Sequence, residues 1–129
     1  MKILGVGLEV IDQRKWIRDV RRYGDHFFTD FFSPQEIGYC RGKKHPREHF
    51  CARWACKLAI CQALSLAHDL RIMRSIEIMP DRDGCPKVKL SKSFFRDGFE
   101  KNLKIDVKVS LTHSDSFAAA EAVVVTKAR

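Results

Sequence analysis

The stretch HFCARWACKLAICQAL, residues 49–64, decides how the chain folds. Its larger apolar residues recur every three or four positions, as on one face of a helix: Phe50, Trp54, Leu58, Cys61. His49, Arg53 and Lys57 follow at i,i+4 spacing along one edge, where like charges repel by about 0.2–0.5 kcal/mol per pair. The pattern predicts a long helix over roughly 47–66. It also raises the question of what offsets the repulsion.

Alternating residues predict a strand before this helix, in KILGVGLEVI (2–11). One face of the strand carries the larger apolar side chains: Leu4, Val6, Leu8, Val10. The other face carries Gly5, Gly7 and Glu9. Two glycines weaken a strand unless another backbone or a ligand approaches closely. We therefore expect a close neighbour on the glycine face, beside the Glu9 carboxylate.

Turn and capping residues predict two shorter helices between this strand and the long helix. Asp12 fits the N-cap and Gly24 the end of a helix over 12–24. Ser33 and Glu36 form a capping box that starts a helix over about 34–40. The aromatic run at 27–32 is predicted to be core or interface packing, and GKKHPRE (42–48) a basic loop.

Strands are also predicted after the long helix. SIEIM (75–79) and PKVKL (86–90) are joined by the turn PDRDGC, and a helix is predicted around 91–102. IDVKVSLTH (105–113) and FAAAEAVVVT (117–126) are joined by the turn 114–116. With the first strand joining the late strands, the order predicts an α+β fold. We expect a single domain over 1–129, with a mainly antiparallel sheet packed against a long central helix.

Composition and charge favour a folded chain with an anionic partner. Hydrophobic residues make up 45%, and the net charge is +8. Nucleic acid, an acidic protein and a phosphorylated small molecule all fit that charge, although no nucleic-acid motif is recognised. The five cysteines lack CxxC spacing and are predicted to be small buried residues in a reducing cytosol. We expect no signal peptide and no membrane span, hence a cytoplasmic protein.

The helix over 12–24 is unusually cationic. Its basic residues outnumber its one internal acid, Asp19: Arg14, Lys15, Arg18, Arg21, Arg22. A solvated helix face is one interpretation. A docking surface for an acidic partner is the other.

Four motifs now stand in order along the chain. They are GVGLEV at the start, FCARWACKLA on the long helix, DxxGxP at Asp81, Gly84 and Pro86, and VSLTHS before the last strand. In this order the chain resembles the holo-acyl-carrier-protein synthase type of 4′-phosphopantetheinyl transferase over nearly its whole length. The resemblance implies transfer of 4′-phosphopantetheine from coenzyme A to a serine of an apo acyl carrier protein, with release of 3′,5′-ADP. It also implies a divalent cation, Mg²⁺, and a homotrimer with active sites at subunit interfaces.

The resemblance also implies which residues form the site. Those matching the coenzyme A side lie on the basic loop and the long helix: Lys43, Lys44, His49, Arg53, Lys57. His113 matches the histidine of the S-x-[ST]-H motif and, with Lys57, is a candidate catalytic residue; a structural hydrogen bond at a strand end is its alternative. The acidic carrier protein would dock on the cationic helix, through these arginines: Arg14, Arg18, Arg21, Arg22.

The match fails where the family binds its metal. Glu9 stands in place of an aspartate, and Leu58 in place of the second carboxylate, a glutamate. Gln62 and Ser65 replace a lysine and a glycine. Magnesium is often held by one or two carboxylates and completed by substrate phosphates, so Glu9 alone would hold it weakly. Two hypotheses follow: an atypical transferase, or a homologue that binds coenzyme A or the carrier protein without efficient transfer.

Overall fold

The computed structural model describes residues 1–98 and 104–127. Its helices are α1 Gln13–Tyr23, α2 Phe27–Phe31, α3 Pro34–Arg41, α4 Pro46–Leu64, α5 Leu70–Ser75 and α6 Lys92–Gly98. Its strands are β1 Ile3–Asp12, β2 Ile76–Pro80, β3 Pro86–Leu90, β4 Ile105–His113 and β5 Phe117–Thr126. The predicted α+β fold, with an antiparallel sheet on a long central helix, is confirmed.

Residues at the helix ends explain where the helices begin and end. The Asp12 side chain accepts from the backbone N–H groups of Arg14 and Lys15 at the start of α1, as predicted. The capping box between Ser33 and Glu36 is present at α3. Helix α4 begins at Pro46 and ends at Ser65, whose φ of 54° is left-handed. Glycine adopts that conformation at lower cost than serine does.

A three-stranded antiparallel sheet in the order β1-β5-β4 packs on α4. The two glycines of β1 make this packing possible. A Cβ on Gly5 would overlap the carbonyl oxygen of Ala63, and one on Gly7 the carbonyl oxygen of Ala59. The close neighbour predicted for the glycine face is therefore the backbone of α4.

The other face of β1 is apolar and open. Val6, Leu8 and Val10 keep 61%, 61% and 62% of their accessible surface. Strand β1 thus turns its glycines toward α4 and exposes its larger apolar side chains. An exposed apolar face of this kind is unusual for a monomer.

The prediction of one sheet that collects the late strands is wrong, because β2 and β3 pair only with each other among the described strands. The open edge of β2 is occupied by side chains. The Ile78 N–H donates to Glu36 Oε2 at 3.0 Å, and the Ile78 carbonyl accepts from Arg53 Nε at 3.0 Å. Those contacts leave no room at Ile78 for another strand.

Two helices differ from the expectation. Helix α5 was not predicted, although Asp69 caps it by accepting from the Ile72 N–H. Helix α6 confirms the first part of the helix predicted around 91–102, and 99–102 lie outside the described residues. No helix in the described ranges is both long and apolar enough to cross a membrane.

The aromatic run at 27–32 belongs to the core of the chain. Phe27, Phe31 and Phe32 are buried. Their ring centroids lie 5.1, 5.2 and 6.2 Å, respectively, from that of Trp54. Four of the cysteines are buried as predicted, but Cys85 is exposed. Burial raises the pKa of Cys51 and Cys56 to about 12, so these thiols are unreactive at neutral pH.

Candidate active site

Lys57 lies in the core and not at a surface. Its side chain is fully buried, and Nζ forms an ion pair with Glu36 Oε1 at 2.8 Å. Nζ also donates to the carbonyl oxygens of Phe31 at 2.9 Å and Met73 at 2.8 Å. Burial lowers the pKa of Lys57, and the Glu36 carboxylate opposes that shift. The predicted contact of Lys57 with coenzyme A is therefore wrong for this conformation, because all three donors of the ammonium have protein partners.

Arg53, one turn earlier, is nearly buried as well, at 5% exposure. Its Nε donates to the Ile78 carbonyl oxygen, and its Nη1 donates to the His49 carbonyl oxygen at 3.4 Å. The guanidinium stacks over the Tyr39 ring, 4.6 Å from the centroid. Arg53 thus holds Tyr39 and His49 in place through its own contacts. It has little exposed surface for a direct phosphate contact.

The start of α4 brings two predicted site residues together. The His49 and His113 rings meet edge to face with centroids 4.9 Å apart. Glu48 Oε1 lies 3.2 Å from His113 Nδ1. Burial lowers the pKa of His49, and the nearby His113, Arg53 and Lys43 lower it further. The lowered pKa favours the neutral form of His49 at neutral pH.

Basic loop residues surround an open pocket beside this cluster. The pocket has a volume of about 320 Å³ and is lined by Lys44, His45, Pro46, Arg47 and Glu48. Lys43 is exposed nearby, with Nζ 4.4 Å from the centroid of the Tyr39 ring. Mobile lysine ammonium groups at an open pocket fit the phosphates of a large anion.

A second pocket, of about 480 Å³, lies along α1. Its lining is cationic apart from Asp12 and Ile17: Arg14, Arg18, Arg21, Arg47. Arg22 is exposed on the same helix but does not line this pocket. Arg47 therefore borders both pockets and makes their positive surfaces continuous.

Gln13 connects these elements. Its Nε2 donates to the Ser114 carbonyl at 2.6 Å, and its Oε1 accepts from Arg47 Nε at 3.2 Å. Arg47 Nη2 donates to the Asp115 carbonyl at 3.3 Å. The buried amide thus holds the β4–β5 turn against α1 and α4, and so fixes the strand end that carries His113.

The residues near Glu9 do not fit a resident magnesium ion. Gly5 faces Ala63 and Gly7 faces Ala59, so each two-residue step along β1 matches about one turn of α4. By the same step we expect Glu9 to lie near Ala55. The neighbouring helix position is Leu58, which packs against the core as predicted. In the parts of the chain that the structure describes, no three His, Cys, Asp or Glu side chains converge as metal ligands.

Gln62, at the position where the resemblance implies a lysine, has a structural contact. Its Oε1 accepts from the Leu8 N–H at 2.7 Å on the open edge of β1. On this side of α4, Leu58 packs against the core and the exposed Gln62 binds the backbone of β1. Glu9 remains half-buried on the sheet face toward α4.

Sequence reasoning missed the long-range contacts of three residues: Gln13, Glu36 and Glu48. Glu36 had been recognised only as a capping residue, and its second role needs Lys57 and Ile78 to meet it from other elements. Glu48 reaches a histidine 65 residues away in the chain. No local pattern marks such long-range partners.

Comparison with known proteins identifies the family. The family model of the 4′-phosphopantetheinyl transferase superfamily matches residues 5–124. The holo-[acyl-carrier-protein] synthase of Mycolicibacterium smegmatis is 34% identical over 133 residues, covering 96% of this chain and 98% of that relative.

Solved structures agree with that match. The acyl carrier protein synthase of Mycobacterium tuberculosis has a TM-score of 0.70 and 28% identity, and the alignment covers 97% of this chain and 99% of that one. The ACPS–CoA complex of Chronobacterium ammoniagenes has a TM-score of 0.78 at 22% identity, with 95% and 98% of the two chains covered, and so has the same fold. The chain belongs to the 4′-phosphopantetheinyl transferase superfamily.

Proposed function

We propose that this protein transfers 4′-phosphopantetheine from coenzyme A to a serine of an apo acyl carrier protein, releasing 3′,5′-ADP. The observation that carries the proposal is the match to a holo-[acyl-carrier-protein] synthase across 96% of this chain and 98% of that relative. Such a reaction needs cations for the phosphates, a base for the serine hydroxyl and a surface for the acidic carrier. The described residues include a candidate for each of these. The cytoplasmic location stays a prediction.

Coenzyme A would bind at the basic loop and the start of α4. Lys43 and Lys44 are exposed and would neutralise its phosphates. His49 is half-buried and neutral, so its role would be a hydrogen bond or a ring contact. His113 would accept the serine proton.

The carrier protein would dock on α1. Arg14, Arg18 and Arg21 are exposed and line the larger pocket, with Arg22 exposed beside them. Complementary charge of this kind mainly accelerates association and selects the partner. Because Arg47 borders both pockets, the docked serine and the coenzyme A phosphates would approach each other across that residue.

A second function is favoured by Leu58 and Gln62. With one carboxylate, Glu9, and no second ligand on α4, the protein side chains do not build a magnesium site. The alternative is a protein that binds coenzyme A or an acidic carrier without efficient transfer. Any Mg²⁺ contribution would then depend on the coenzyme A phosphates and on Glu9, and we derive no catalytic step from it.

Intact-mass spectrometry of apo carrier proteins separates the two functions. Each carrier is incubated with coenzyme A, magnesium and either the unmodified protein or Leu58→Glu, and His113→Ala serves as the impaired control. We expect the unmodified protein to add one phosphopantetheine. Transfer by Leu58→Glu alone would support the binding-only alternative. No transfer by either protein to any carrier, together with no heat of coenzyme A binding in calorimetry, contradicts both.

The homotrimer is likewise part of the proposal. The exposed Val6, Leu8 and Val10 of β1 support it, since self-association would cover an apolar face of the sheet. Sedimentation equilibrium should give three times the chain mass, and Leu8→Lys should shift the protein to monomer. A monomeric unmodified protein at micromolar concentration would contradict the assembly.

A further inference from the structure

Glu48 and His113 form a half-buried pair at the edge of the smaller pocket. Glu48 Oε1 lies 3.2 Å from His113 Nδ1, and the two side chains keep 16% and 32% of their accessible surface. Glu48 also lines the pocket with Lys44 and Arg47. One nitrogen of the His113 ring is therefore engaged by a carboxylate beside the basic loop, and Nε2 remains for another partner.

Both members of the pair are held by rigid elements. Glu48 lies in the first turn of α4. His113 ends β4, where it pairs with Ala118, and Gln13 fixes the turn that follows. The His49 ring packs edge to face against the His113 ring from a second side. The orientation of the imidazole is thus determined by packing as well as by the hydrogen bond.

We infer that Glu48 is a positioning residue for His113, an inference that rests on the proposed function. A carboxylate that accepts from Nδ1–H selects the tautomer whose lone pair is on Nε2. It also stabilises the imidazolium that forms when Nε2 takes up a proton. Glu48 has no contact with the reacting atoms and acts through His113.

The transfer step assigns the proton to Nε2. The carrier serine oxygen forms a bond to the phosphorus that bears the pantetheine, and the bond from this phosphorus to the bridging oxygen breaks. The electron pair of that bond leaves on 3′,5′-ADP. The serine proton passes to His113 Nε2, and the imidazolium later returns it to solvent. With Nε2 already protonated, the same ring could not accept it.

The chain contains a natural control pair. His26 Nδ1 lies 3.6 Å from Asp30 Oδ2 on the surface, where the side chains keep 67% and 34% of their accessible surface. Asp30→Asn therefore removes a histidine–carboxylate contact that is more exposed, longer and formed by residues that line neither pocket. It should leave the His113 signals unchanged.

The tautomer of His113 is measured directly by proton–nitrogen correlation NMR of the imidazole rings at alkaline pH. The five histidines are assigned by substitution, with His113→Gln for this ring. We expect protonation of Nδ1 in the unmodified protein and in Glu48→Gln, whose amide oxygen still accepts. We expect a change toward Nε2 protonation in Glu48→Leu. An Nε2-protonated ring in the unmodified protein, or an unchanged tautomer in Glu48→Leu, overturns the inference.

Kinetics give the second readout. Glu48→Leu should lower kcat for transfer about a hundredfold. KM for coenzyme A should not rise, because the substitution removes a negative charge from the pocket proposed for the phosphates. The double variant Glu48→Leu with His113→Ala should be no slower than His113→Ala alone. A further loss in the double variant contradicts action through His113. If the unmodified protein modifies no carrier, the proposed function fails, while the NMR comparison still decides the role of Glu48.

Discussion

His49, Arg53 and Lys57 form a basic row along one edge of α4, and the surroundings of its two ends differ sharply. At Lys57 the ammonium is fully buried and has one carboxylate and two carbonyl oxygens as partners. At His49 the ring is half-buried, uncharged at neutral pH and next to an open basic pocket. Residues with the same spacing on one helix edge thus serve stability at one end and lie beside a binding surface at the other.

The difference answers the question of how the helix tolerates its basic row. The repulsion is reduced because one member is neutral and the other two have separate partners in the fold. Arg53 binds the Ile78 carbonyl and Lys57 binds Glu36. A polyanion is not needed to neutralise this row. The cations available to an anion are those of the loop and of α1.

The strongest test of the comparison is Lys57→Met. Removing the ammonium leaves Glu36 buried without its cation, and breaking such a pair costs about 3–5 kcal/mol of the free energy of unfolding. Urea denaturation followed by far-UV circular dichroism measures this cost. Lys15→Met, on the exposed surface of α1, is the control and should change stability by less than about 0.5 kcal/mol. A cost for Lys57→Met as small as that of the control would contradict a structural role.

A smaller effect is expected on the side of α4 that faces the sheet. Gly7→Ala places a Cβ against the Ala59 carbonyl, so strand and helix must separate, at about 1–3 kcal/mol. Gly38→Ala, in α3 with nothing within 4 Å of its Cβ position, should stabilise by about 0.5–1 kcal/mol. Thermal unfolding of both variants should therefore shift in opposite directions. Equal shifts would mean that β1 does not approach α4 this closely.

On the basic loop next to His49, removing positive charge should weaken coenzyme A binding without changing the free energy of unfolding. Lys43→Ala with Lys44→Ala should weaken coenzyme A binding about tenfold, or about 1.4 kcal/mol, because both ammonium groups are exposed near the pocket. Isothermal titration calorimetry measures the affinity, and the free energy of unfolding should stay within about 0.5 kcal/mol. Lys2→Ala with Lys89→Ala, two exposed lysines that line neither pocket, is the control for the same change in net charge. An affinity equal to that of this control would argue against the loop as the phosphate site.

The smallest effect concerns pH. Because burial lowers the pKa of His49 below 6.5, the unfolded chain binds a proton there that the folded protein does not. This contribution to stability is complete above pH 6.5 and is lost as the pH falls below it. Acidification from about pH 7.5 to about pH 5.5 should therefore destabilise the unmodified protein more than His49→Gln. Identical pH dependence in urea titrations would place His49 in an environment like water.

Much of the fold was predictable because its signals are local. The caps at Asp12 and Ser33 and the hairpin turn at 114–116 depend on residues close in sequence, and each was confirmed. Helix α4 was predicted to within about two residues at each end. The separate β2–β3 sheet was not predicted, since Glu36 and Arg53 occupy its edge from distant elements.

The site was predictable only in part. Leu58 as a packing residue could be recognised from its helix face, and the exposed arginines of α1 from their number. Lys57 was misassigned because the same motif position is compatible with a surface contact or with a buried ion pair. Only the position of Glu36 distinguishes these.

The sequence by itself determined most of the elements, the family and the packing role of Leu58, since each is written in residue types at short or fixed spacing. Only the tertiary structure decided which charges are buried and which are available. Burial and pairing depend on groups that distant segments bring within about 3 Å, as Glu36 meets Lys57 and Glu48 meets His113. The energy of a charge is set by these neighbours, and a linear pattern does not contain them.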